Sequence, residues 1–107
     1  MKHLDMYKRD CAVVDFLAEH RGKENAVNAK GIAAYLSSIG YPASGNLVQL
    51  IVRKVMRERH LPICSSTNAG FYWANTQEEI QASIDDLQSR ICEHQKRIKI
   101  LQSFLIK

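Results

Sequence analysis

From Thr76 to about Ile106 the chain carries no glycine or proline, and no other feature restricts its fold as much. At ~1.5 Å per residue the run predicts one helix about 45 Å long. Thr76 suits an N-cap, and Glu79 three residues on completes a capping box. Within the run Ile80, Ile84, Leu87, Ile91, His94, Ile98, Leu101 and Leu105 are spaced alternately by four and three. That is a heptad seam with one polar member. Its seven apolar members exceed what the rest of so short a chain can cover. A partner helix is therefore expected, most simply that of a second copy. Glu78, Glu79, Asp85 and Asp86 lie in the first half of the helix; Arg90, Lys96, Arg97, Lys99 and Lys107 lie in the second, opposed only by Glu93. A helix dipole favours this order but fades within a turn, and Asp85 and Lys96 lie deeper. An antiparallel pair sets acidic half against basic half, whereas a parallel pair stacks like charges, so an antiparallel homodimer is favoured. His94 in the seam either sets register or weakens association at low pH. The sequence leaves open whether the helix pairs with a copy or folds back.

The chain has 107 residues, 46% of them hydrophobic and 24% charged. That supports one compact domain over residues 1–75, followed by an association element over residues 76–107. No apolar run reaches the ~20 residues that cross a bilayer, and MKHLDMYKRD lacks the apolar stretch of a secretory signal. A cytoplasmic protein without membrane contact is expected. Cys11, Cys64 and Cys92 are odd in number and widely spaced, which reads as reduced thiols packed as small hydrophobes. His60 and Cys64 are a close His/Cys pair, as are Cys92 and His94, but two ligands are too few for a metal site. No Gly-rich phosphate loop, HExxH or GxSxG occurs. No enzyme activity, cofactor or metal is therefore expected.

The segment Asp5 to His20 places Tyr7, Cys11, Val14 and Leu17/Ala18 on one helical face, and Gly22 suits a left-handed C-terminal cap. Residues 24–28 are long enough for a short strand only. Asn28 is an N-cap for a second helix, Ala29 to Ile39, with Ile32, Leu36 and Ile39 as its apolar stripe. Gly40 and Pro42 break it. Ser44 caps a third helix reaching about Arg59, in which Leu47, Leu50, Ile51 and Val55 recur at core spacing. Leu61 to Ser65 and Phe71 to Ala74 are β-prone and flank Ser66-Thr67-Asn68-Ala69-Gly70, a hairpin with a loop of about five residues. Phe71 and Trp73 share one face of that hairpin, where core packing is the favoured role over stacking on bases.

Helix, short strand, helix, turn, helix, hairpin and long helix is a succession that resembles the winged helix-turn-helix DNA-binding proteins. NAVNAKGIAAYLSSIG carries the strand and second helix of the resemblance, SGNLVQLIVRKVMRER the third helix and LPICSSTNAGFYWA the wing. The chain also looks like the small phage and prophage proteins of this type. The resemblance implies a mainly α fold with a small β-hairpin and a third helix that enters the major groove.

Sorting the third helix at 100° per residue puts Leu47, Val48, Ile51, Val52 and Val55 on one side. Asn46, Gln49, Arg53 and Arg57 line the other, without an acid among them. Amides pair bidentately with adenine and guanidinium groups with guanine, so these four are the base-reading candidates. Lys30, Ser44, Lys54, Arg59, Ser66, Thr67 and Asn68 are the backbone-contact candidates. His60, Lys8 and Ser65 are weaker additions, as is Arg9. The formal charge of +4 is mild; residues 1–60 hold ten Lys/Arg against six Asp/Glu, and residues 61–75 hold no charge. The expected function is DNA binding, as a transcriptional regulator or phage replication accessory acting as a homodimer. The uncharged wing favours a rival: the same scaffold used to bind protein, or to inhibit a host protein.

Overall fold

The computed structural model describes residues 3–66 and 68–105. Among them the elements are α1 (His3–Ala18), a 3₁₀ turn (Lys23–Asn25), α2 (Ala29–Ser38), α3 (Gly45–Arg59), β1 (Ile63–Ser66), β2 (Gly70–Trp73) and α4 (Gln77–Gln102). The protein is thus mainly helical, with a two-stranded antiparallel hairpin and a long C-terminal helix.

Three side-chain caps start three of the helices. Asn28 Oδ1 accepts the Gly31 N–H at 2.8 Å, Ser44 Oγ accepts the Leu47 N–H at 3.1 Å, and Thr76 Oγ1 accepts the Glu79 N–H at 3.2 Å. Each satisfies an amide that has no partner within its helix. α3 ends at His60, whose left-handed backbone (φ 55°, ψ 60°) turns the chain toward β1.

α1, α2 and α3 enclose the core. Val13, Leu17, Ile32, Leu36, Val48, Ile51, Val52, Val55 and Ile63 are buried together. The inward face of α1 keeps Leu17 of the expected set, with Val14 at the edge of the core, but is rotated away from Tyr7 and Cys11. Val13 and Leu17 point in together with Arg9 and Asp10, while Tyr7 is 59% exposed and Cys11 and Val14 are only half-buried. Asp10 is stable there because Arg9 Nη2 lies 3.2 Å from Oδ1 and Lys54 Nζ lies 2.8 Å from Oδ2; a buried charge needs such partners. Two other apolar assignments also fail. Ile39 follows α2 and is 42% exposed, and Leu50 is 61% exposed.

Gly22 does not cap α1. With φ 85° and ψ 150° it lies outside the left-handed helical region, and its N–H donates to the Trp73 carbonyl at 2.9 Å. The expected strand at residues 24–28 is reduced to the 3₁₀ turn and one bridge, Val27 to Phe71, with both N–H···O bonds at 2.8 Å. Gly70 permits that approach. Its φ is +100°, and a Cβ there would stand 2.5 Å from the Val27 carbonyl oxygen.

The hairpin pairs Ile63 with Trp73, Cys64 with Tyr72, Ser65 with Phe71 and Ser66 with Gly70, so the loop is shorter than the five residues expected. Its two faces serve different neighbours. Ile63, Phe71 and Trp73 pack on the helical core. Cys64 and Tyr72 are buried on the side facing α4, where Cys64 Sγ lies 3.9 Å from the Glu79 carbonyl. Burial pushes both the Cys64 thiol and the Tyr72 phenol above their ordinary pKa values.

Glu79 holds the start of α4. Its Oε1 accepts the Asn75 N–H and its Oε2 the Lys23 N–H, each at 2.7 Å. Beyond this anchor α4 leaves the domain, and it has no buried residue. The molecule accordingly measures 53 × 35 × 23 Å. α4 stops at Gln102, and Ser103 closes it with an N–H shared between the Lys99 and Ile100 carbonyls. Leu105 therefore lies past the helix.

Candidate functional site

The core position of Val48, Ile51, Val52 and Val55 determines which side of α3 faces outward. Asn46, Gln49, Arg53 and Arg57 are all exposed on that side. Among the described residues none of the four enters an ion pair or a side-chain hydrogen bond. Leu50 stands among them, one turn from Asn46 and near Arg53 and Arg57 on the wheel. The same 100° construction places it there, so the signal was in the sequence; its match to an i, i+3 core pattern masked it. The outward side of α3 thus offers two amides, two guanidinium groups and one apolar side chain, a set able to pair with planar hydrogen-bonding edges.

The other candidates divide. Lys30, on the first turn of α2, and Asn68, in the hairpin turn, are exposed. Ser66 is half-buried at the end of β1. Thr67 lies outside the described residues. Ser44 accepts the Leu47 N–H as the cap of α3. Lys54 is committed to Asp10 and bridges α3 to α1. Arg59 also turns toward α1. Its Nη2 donates to Cys11 Sγ at 3.4 Å, and its guanidinium lies 5.6 Å from the centre of the Tyr7 ring. The Cys11 contact is the largest influence raising the Arg59 pKa.

A groove of about 660 Å³ runs beside the polar side of α3. Gln49, Arg53 and Met56 form one wall, Ser65 and Ser66 of β1 form its end, and Ile80, Ser83, Ile84 and Leu87 of α4 form the other wall. The structure thus brings Gln49 and Arg53 to the same groove as Ser66, while Lys30 and Arg59 are not among its lining residues. Met56, 42% exposed, and the groove itself were not anticipated, because they depend on where α4 departs.

The seam of α4 is open. Ile84, Leu87 and Ile91 are 41%, 49% and 56% exposed, and Ile98, Leu101 and Leu105 are 52%, 66% and 73% exposed. His94 is exposed between them, and only Ile80 is half-covered by the domain. Phe104 and Ile100 add apolar surface at 76% and 60% exposure. Cys92, expected near an apolar face, is exposed. Asp86 and Arg90 are ion-paired at 2.8 Å on the same helix.

Among the described residues no three His, Cys, Asp or Glu side chains converge on a common point, and no helix is long and apolar enough to cross a membrane. Comparison with family models, with curated proteins and with solved structures finds no match for this chain.

Proposed function

We propose that the protein is a winged helix-turn-helix protein that binds duplex DNA through α3, acting as a homodimer joined by α4. The observation that carries this reading is the outward side of α3. Asn46, Gln49, Arg53 and Arg57 are exposed there, without an acid or an internal partner, on a helix whose opposite side is locked in the core. A helix so held inserts its polar side as a rigid unit into the major groove. The amides then pair with adenine and the guanidinium groups with guanine, and Leu50 can meet thymine methyl groups. Lys30, Ser66 and Asn68 serve as backbone contacts. Lys54 and Arg59 are less available for that role, because Asp10 and Cys11 engage them. The role in the cell is that of a transcriptional regulator or a phage replication accessory.

One observation favours a second reading, that of a protein-interaction module or an inhibitor of a host protein. Residues 61–75 carry no charge, so the hairpin offers nothing cationic to a minor groove. Fluorescence anisotropy with random duplex DNA at two salt concentrations separates the readings. Affinity that falls steeply with salt and is lost in Arg53→Ala/Arg57→Ala supports DNA binding; no binding at low salt refutes it and favours the second.

A further inference from the structure

We infer that the groove between α3, β1 and α4 is the seat for the C-terminal end of α4 from a second copy, which runs antiparallel with Phe104 as the plug. The inference rests on the self-association part of the proposed function and adds its register, its direction and the residue that fills the site.

The seam reads 4-3-4-3-4-3-4 from Ile80 to Leu105, so it is the same in both directions. Two antiparallel copies can therefore align every seam position about a two-fold axis level with the Cys92–Glu93 bond. Ile84 then meets the partner's Leu101, Leu87 meets the partner's Ile98, and Ile91 meets the partner's His94. This is the layering of an antiparallel coiled coil, in which a and d positions face one another. Charge does not select this register. Asp86 is level with the partner's Lys99, but both stand at outward positions away from the seam. On the facing flank Arg90 comes beside the partner's Arg97, and Asp86, ion-paired with Arg90 at 2.8 Å, offsets that like-charge contact.

The groove decides which flank of the seam matters. On α4 it is lined by Ile80, Ser83, Ile84, Leu87 and Arg90. These are seam residues and those of the g flank; Gln81 and Gln88 of the opposite flank are not among them. In an antiparallel pair g flanks face each other, and this register sets Phe104 of the partner subunit over Ser83. Phe104 is among the most exposed large apolar residues, at 76%, and Ser83 is a small residue opening onto a groove walled by Met56 and Ile84. The Phe104 and Leu105 N–H groups close i→i+3 turns onto the Leu101 and Gln102 carbonyls, so the chain coils on for a tighter turn directly after α4. In a parallel pair Phe104 would lie at the far end of the helices from the groove. Parallel pairing has two arguments of its own, isoleucine at most a positions with leucine at two of the d positions, and flanks that set Arg90 and Arg97 beside the partner's Gln95 and the partner's Gln102, which makes direction the decisive test.

The test uses a Cys92→Ser background and two chains of different size, one carrying Ile84→Cys and the other Leu101→Cys, mixed and mildly oxidised. The expected result is a disulfide between the unlike chains, with no such bond in either chain alone. A second measurement is sedimentation of Phe104→Ala, for which the dimer dissociation constant should rise about tenfold or more. Disulfides formed by each chain alone would mean parallel pairing and overturn the inference while leaving self-association standing. Unlike-chain disulfides with unchanged dimerisation of Phe104→Ala would overturn the seating of Phe104. A wild-type protein that stays monomeric to about 100 μM would overturn both this inference and the homodimer.

Discussion

Leu50 and Ile51 are neighbours of the same chemical type with opposite environments. Leu50 is 61% exposed and Ile51 is 2% exposed. Leu50→Ala should therefore change stability by no more than ~0.5 kcal/mol, whereas Ile51→Ala should cost ~2–5 kcal/mol through lost burial and a residual cavity. Urea unfolding of the two variants measures the difference, and equal losses would refute the orientation assigned to α3. Asp10 is the other informative residue. It is 5% exposed, as a carboxylate held by Arg9 and Lys54. Asp10→Asn leaves two cations facing a neutral amide and should cost ~3 kcal/mol. Lys54→Met should lower stability too, yet leave the salt dependence of DNA affinity unchanged. A reduced salt slope in that variant would return Lys54 to the phosphate contacts.

At the scale of elements, the start of α4 depends on one carboxylate. The Asn75 N–H, the largest influence, and then the Lys23 N–H hold the Glu79 carboxyl below its usual value of 4.5. A lowered folded-state pKa means that deprotonated Glu79 stabilises the fold. That stabilisation is fully present above the unfolded value and is lost as pH falls through the lowered one. Glu79→Gln should therefore reduce the melting temperature near neutral pH, with the gap from wild type closing on acidification below the ordinary carboxylate range. Thermal melts at a series of pH values read this directly; a gap that stays constant would show that Glu79 acts through shape alone. The hairpin is the second pivotal element. It has one face on the helical core and the other toward α4, so it lies between the domain and the start of that helix. The sequence contained its turn residues but not its two-sided burial.

For the whole molecule, an antiparallel pair places the two domains near opposite ends of the coiled coil. The two Ile80 residues, each level with Leu105 of the other copy, would then stand about 37 Å apart along the axis at ~1.5 Å per residue. In the antiparallel pair proposed above both grooves would lie on the same flank, so the two α3 helices would share one side of the dimer. Two α3 helices so related reach successive major grooves on one side of B-DNA when they stand ~34–36 Å apart. Selection from a random duplex pool should therefore return an inverted repeat with half-site centres about one helical turn apart. Direct repeats, or half-sites without fixed spacing, would contradict the arrangement.

The parts of this architecture legible in the sequence are those whose cause is local. Asn28, Ser44 and Thr76 each bond an amide three residues ahead, so their role is contained in a short window. The polar side of α3 and the seam of α4 are likewise periodic within one helix. What required the tertiary structure are the partners distant along the chain. Asp10 can face inward because Lys54, 44 residues away, meets it, so the buried side of α1 is rotated from the Tyr7–Cys11–Val14–Leu17 face, of which Leu17 alone is fully buried. Glu79 gains the amide of Lys23, 56 residues back, beyond the helix start that its spacing from Thr76 announced. The groove beside Gln49 and Arg53 exists only where α4 leaves β1. Helical periodicity places a residue on a face, but which face is buried depends on contacts between segments that the order of residues does not contain.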